Sequence, residues 1–170
     1  MLLDNLSKDQ LKELVKIYAR NLFAMDGVWF QSIEKEQGVD AAMNHDREIW
    51  RRFTETEARR IKKFLNLPDN SGLKGMKKAL QLRFPALANE KIELIREEKF
   101  LIYKIIDCRV QTARKDKDMP YHPCQSAGII EHAYFAKVID SRIKCETLSC
   151  YPDIKDENCA CSWKFILEDD

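Results

Sequence analysis

Apolar residues recur at helical spacing through the first half of this chain and alternate with polar ones through much of the second. After Ser7, which with Gln10 forms a capping box, Leu11, Leu14, Val15, Tyr18, Leu22 and Met25 return every three or four positions. That spacing predicts a helix from about Lys8 to Met25 with one apolar and one wet face. Asp26-Gly27 interrupts the pattern, and Asp26 is placed to cap a short second helix carrying Val28, Trp29, Phe30 and Ile33, which stops near Gly38. Asp40 caps a long third helix. Its inner stripe holds Ala42, Ile49, Trp50, Phe53, Ile61 and Phe64, with Arg51, Arg52, Arg59, Lys62 and Lys63 largely outside. Leu67-Pro68-Asp69-Asn70-Ser71-Gly72 is a clear turn signal, and a fourth helix from Leu73 to about Leu82 closes this half at Phe84-Pro85.

Beyond Pro85 the period changes. Lys91 to Ile95 and Phe100 to Ile106 are rich in β-branched and aromatic residues, and the charged link between them is short enough for a hairpin. Residues 111–123 read as a polar, proline-bearing connection. Cys124 to about Asp140 returns to helical spacing through Ala127, Ile130, Tyr134 and Val138, and Ile143–Leu148 and Cys161–Leu167 alternate as strands. The expected fold is α+β in a single domain over residues 1–170. About four N-terminal helices (1–85) pack on a C-terminal antiparallel sheet of about four strands with one inserted helix (86–170).

Composition narrows the function. With 29 basic against 28 acidic side chains and a net charge of +1, the chain has no global field to hold a polyanion, so nucleic acid is a poor first partner. The basic residues of the third helix are interspersed with Glu48, Glu55 and Glu57, the pattern of a solvated face with i,i+4 pairs. No run approaches the roughly 18 to 20 apolar residues of a membrane span, and the first residues lack a signal-peptide pattern, so a cytoplasmic protein is expected. GxGxxG, Walker, HExxH and GxSxG signatures are missing, which argues against a nucleotide cofactor and against zincins.

The chemistry gathers in the cysteines. All six fall from Cys108 onward, and in a reducing compartment such asymmetry points to thiol chemistry or metal. There is no CxxC pair; Cys145 and Cys150 are five apart and Cys159 and Cys161 two apart, so a metal site would have to be assembled by tertiary structure. Cys145 and Cys161 are equally well read as small buried side chains on strands. Cys124 follows His122-Pro123 at the expected first turn of a helix, where free N–H groups and the macrodipole should lower its pKa, as a nucleophile or metal-binding thiolate requires. His122 is its natural base or co-ligand. His132, eight residues along, has its Cα roughly 12 Å away on an ideal helix, too far to share one ion, and His45 is expected in solvent. Two carboxylates lie in apolar surroundings. Asp26 reads first as a helix cap and Glu57 as a partner of Arg60 or Arg20; the sharper reading makes both walls of a polar pocket that exchange protons.

The segments Asp26-Gly27-Val28-Trp29-Phe30, Trp50 with Glu57-Ala58-Arg59-Arg60-Ile61, Cys108, Pro123-Cys124, Cys150-Tyr151-Pro152-Asp153 and Cys161-Ser162-Trp163-Lys164-Phe165 carry a resemblance over nearly the whole chain. Together they resemble a family of uncharacterised cytosolic prokaryotic proteins related to the L-2-amino-thiazoline-4-carboxylic acid hydrolase-like proteins. The terminal Cys-x-aromatic-x-Phe strand is similar, more distantly, to four-vinyl-reductase-type ligand-binding domains. By this resemblance Cys108, Cys124, Cys150 and Cys161 match the recurring cysteines, whereas Cys145 and Cys159 are extras. Tyr151 stands where a proline is expected.

Two functions follow as expectations. One is a small-molecule-binding hydrolase acting on a sulfur-containing or heterocyclic compound between the helical half and the sheet, with Cys124 as nucleophile and Glu57 or Asp26 handling protons. The other is a non-catalytic module in which Cys108, Cys124, Cys150 and Cys161 hold zinc or iron. An apolar helix face offers a route to a homodimer, though Trp29, Trp50 and Trp163 fit equally well in a core.

Overall fold

The computed structural model describes residues 2–89 and 91–168. After a short 3-10 turn, Leu2–Asn5, come α1 (Lys8–Gln37), α2 (Val39–Phe64), α3 (Gly72–Leu80) and α4 (Phe84–Asn89). The hairpin β1 (Ile92–Arg96) and β2 (Phe100–Ile105) follows, then α5 (Arg109–Lys115), α6 (Gln125–Ile139), β3 (Ile143–Cys150) and β4 (Cys161–Leu167). The four strands form one antiparallel sheet in the order β1-β2-β4-β3, so the α+β class holds.

The first helix starts as its capping box requires. The Gln10 N–H donates to Ser7 Oγ at 3.2 Å, and the Ser7 N–H donates to Gln10 Oε1 at 2.8 Å. It then runs unbroken through Asp26-Gly27 for 30 residues, so the expected break and second helix do not exist. One interior glycine costs a helix only about 1 kcal/mol, less than the ladder on both sides returns. The break falls at Gly38, whose φ of 89° suits a residue without Cβ and redirects the chain into α2. Gly38, not Asp40, therefore precedes the helix, and Asp40 lies in its first turn.

Along α2 the buried positions Ala42, Asp46, Trp50, Thr54 and Ala58 recur every four residues, one ridge of the helix surface. Ile49 and Phe64, assigned to the inner stripe from spacing, are exposed instead. The cationic face is paired as the spacing implied, Glu48 with Arg51 and Arg52, and Glu55 with Arg59. Residues 111–123 are not wholly irregular: α5 occupies 109–115 before the loop begins.

Helix α6 lies between α2 and the sheet, packing on α2 and β3, while α1 packs on α2 and α4. The main core joins Leu101, Tyr103, Trp163 and Phe165 of the sheet to Phe135 and Ile139 of α6 and to Met76 and Leu80 of α3. Gly128 sets how closely α6 approaches: a Cβ there would meet the Trp163 ring at 2.7 Å. A second cluster, Phe30, Ala42, Met43, Trp50 and Ala127, joins α1, α2 and the start of α6. Trp50 and Trp163 are thus core residues, whereas Trp29 is 62% exposed. Among the described residues no helix is long and apolar enough to cross a membrane.

Candidate functional site

Between the two clusters, where the helical half meets the strand ends, lies a cavity of about 370 Å³. Its wall includes Cys108, Cys124, Cys150 and Cys161, while Cys145 and Cys159 stand outside it. Asp26 from α1, Asp46 from α2 and Glu131 from α6 also line it, with His122 and His132.

Cys124 is the residue from which α6 departs. Its thiol makes no cap to the first turn, so the helix N-terminus does not hold it as thiolate. It turns inward instead, donating to the His122 carbonyl at 3.3 Å with His122 Nδ1 at 3.2 Å from Sγ. The expected lowering of its pKa is not found. A hydrogen bond with Cys150 pulls the value down, but burial and the neighbouring Cys108 and Cys161 push it up, and the net shift is upward. Cys124 therefore rests as a thiol and needs a base to become a nucleophile. Cys150, the cross-strand partner of Cys161, is hydrogen-bonded to both Cys124 and Cys161, and both of these β-strand thiols are held above their ordinary range. Burial raises Cys108 to about 11.

Gln111 builds the loop that presents this pair. Its side-chain amide donates to the His122 carbonyl at 2.8 Å and to Cys124 Sγ at 3.2 Å, and its Oε1 accepts from the His122 N–H at 2.9 Å. Arg114 secures α5 against α1 through two bonds to Glu34, at 2.7 and 2.9 Å. The His122 ring rests on Phe30, with centroids 4.5 Å apart. Its Nε2 lies 3.6 Å from Asp46 Oδ2, so sulfur, imidazole and carboxylate follow one another in a line. Burial, with a smaller contribution from Arg114, lowers His122 to about 4, and the ring is neutral near pH 7.

The carboxylates are the counterpart. Burial raises Asp26 to about 6. Burial, helped by the charges of Asp26 and Glu131, raises Asp46 to about 7. Burial also brings Glu131 to about 7 even though Arg83 Nη1 sits 2.8 Å from its Oε1. Asp26 is not a helix cap; it lies within α1 and faces the cavity. Glu57 is turned elsewhere: it pairs with buried Arg83 at 2.8 Å, in place of Arg60 or Arg20, and accepts the Phe84 N–H that opens α4 at 3.0 Å. It is absent from the cavity wall, where Asp26, Asp46 and Glu131 are the carboxylates present. Asp46 was missed in the sequence, where its spacing of four residues from both Ala42 and Trp50 is the signal that would have found it; Gln111 gave no local signal, because only the folded loop brings it to Cys124. His132 is buried beside Trp163, its Nδ1 3.4 Å from Arg83, and His45 is exposed.

Among the described residues no three His, Cys, Asp or Glu side chains are grouped so as to hold a metal ion. The four cavity cysteines line one space without forming a coordination shell for zinc or iron.

No curated protein and no solved structure matches the chain. A family model described as "Family of unknown function (DUF6125)" matches residues 4–167, and the chain belongs to that family.

Proposed function

We propose that the protein binds a small molecule in this cavity and hydrolyses it, with Cys124 as nucleophile, His122 as general base and Asp46 orienting the imidazole. The observation that carries the reading is the 3.2 Å approach of His122 Nδ1 to Cys124 Sγ in the wall of a cavity of substrate size. Ionised Asp46 favours the tautomer with its proton on Nε2, which leaves Nδ1 free to take the thiol proton. Their 3.6 Å separation needs a small closure, as is common before substrate is bound.

The substrate class is a small sulfur-containing or heterocyclic compound with an electrophilic C=N or C=O carbon, as the sequence resemblance suggests. Sulfur attack forms the C–S bond while the π pair moves to the heteroatom. As that pair returns, the C–N or C–S bond of the ring breaks, and Asp26 or Glu131, raised by burial to about 6 and about 7, supplies from its protonated fraction the proton that the departing nitrogen or sulfur takes. Water then adds to the same carbon, the C–S bond to Cys124 breaks, and the proton held on His122 returns to Sγ.

The test is a turnover screen of thiazolines and related hydrolysable rings. Cys124→Ser and His122→Ala should each lower kcat/KM by about 10²-fold or more, while Cys145→Ser, outside the cavity, should leave it unchanged. Wild-type turnover by Cys124→Ser would overturn the thiol mechanism.

A cysteine-ligated metal or ligand-sensing module is the second reading, favoured by the four thiols that line one cavity. Under it, protein purified without air should carry about one zinc or iron per chain, lost in Cys150→Ser with the fold retained.

A further inference from the structure

The apolar stripe of α1 is not covered by the protein's own fold. Leu11, Val15, Tyr18, Met25 and Trp29 are 40%, 50%, 67%, 65% and 62% exposed. None of residues 8–18 is buried, and only Leu14 of their apolar residues is partly covered, so the first three turns of the helix leave most of their apolar side in water. A helix segment of that length is marginal in water unless its apolar face is packed.

The spacing of the stripe says what packs it. Positions 11, 15, 18, 22, 25 and 29 follow one another at intervals of four, three, four, three and four, the seam by which helices pair through knobs and holes. On a helix of 3.6 residues per turn they fall within a strip of about 80°. We propose that this seam pairs with the same seam of a second copy, antiparallel about a two-fold axis that crosses α1 between Tyr18 and Leu22.

Three features support a copy of this chain as the occupant. First, the antiparallel register sets Leu11 against Trp29, Val15 against Met25 and Tyr18 against Leu22, each larger residue opposite a smaller one. Second, it carries the bare N-terminal turns of one copy onto the apolar groove between α1 and α2 of the other. That groove has a volume of about 220 Å³ and is walled by Leu22, Met25, Trp29, Ile49 and Phe53. Third, the area suffices. With roughly 100 Å² open on each such side chain the stripe presents on the order of 500 to 700 Å² per copy. With the groove and flanking atoms this reaches the roughly 800 Å² per partner of a stable interface. Asp26 borders both the groove and the thiol-lined cavity, so the partner would cover the outer side of a wall of the candidate site.

Sedimentation equilibrium of the full chain at about 20 µM tests the pairing. The expected mass is twice the 20.0 kDa of one chain, and the double variant Tyr18→Glu, Met25→Glu should sediment as a monomer while keeping its helical circular dichroism. A wild-type monomer overturns the proposal, as does a double variant that stays dimeric. If that variant loses its fold, benzoylphenylalanine placed at Leu11 decides. A photo-crosslink to residues 25–33 of another copy is expected, and crosslinks elsewhere, or none, overturn the register.

Discussion

At Asp46 a single carboxylate joins burial to chemistry. Its ordinary pKa of 3.8 is raised to about 7 in the folded chain, burial being the main cause. Between about pH 4 and 7 the folded state holds a proton that the unfolded chain has released, so this group makes stability fall as pH rises through that window and adds no further slope above it. Asp46→Asn removes that penalty. The variant should be more stable than wild type at pH 8 by about 1 to 4 kcal/mol and show little difference at pH 4, read by urea melts at both values. Its turnover should drop by about 10²-fold or more, and in the wild type the rising limb of kcat/KM against pH should sit near 7. A rising limb set instead near the unperturbed thiol range would mean that Cys124 ionises without the Asp46–His122 pair.

At the level of elements, the site depends on how closely α6 lies on β4. Gly128 permits that approach, and its hypothetical Cβ would overlap Trp163, whose fused ring has no flexible end to yield. Gly128→Ala should cost about 1 to 3 kcal/mol in a chemical melt despite the better helix propensity of alanine, because α6 must move outward. The same shift carries Glu131 and His132 with it, so turnover should fall alongside stability. Equal stability would mean that α6 rides outward freely. Helix α5 has a comparable role on the other wall, since Gln111 fastens the loop that holds His122 against Cys124.

For the whole molecule, the proposed pairing along α1 would tie stability to concentration. If two copies unfold together, dilution favours the separated chains, and the thermal midpoint should drop by about 2 to 4 °C for each tenfold dilution. Scans from about 1 to 100 µM give the slope, and the Tyr18→Glu, Met25→Glu variant should show none. The arrangement also explains why α1 tolerates so many open apolar residues while α2 pairs its exposed face with charges.

The periodic pattern alone was enough for the α+β class, the four strands, the turn at 67–72 and the helix beginning near Cys124, because each is written in the alternation, spacing or turn chemistry of its own segment, even where the strands that pair, as β2 and β4 do, lie far apart along the chain. It also singled out Cys124, His122 and Asp26 as residues with chemistry to offer. Where spacing was read as burial it failed, at Ile49 and Phe64, since a periodic stripe records that a helix has an apolar side and not which partner covers it. Asp26-Gly27 looked like a break because local propensity is weak, and a long helix packed on α2 and α4 overrides it. Three decisions belonged to the tertiary structure alone: pairing Glu57 with Arg83, 26 residues away, turning Cys124 from a helix N-terminus toward His122 and Cys150, and raising Asp46 and Glu131 by burial. Each depends on which distant groups exclude water from a side chain, and desolvation is a property of the assembled interior rather than of any segment of sequence.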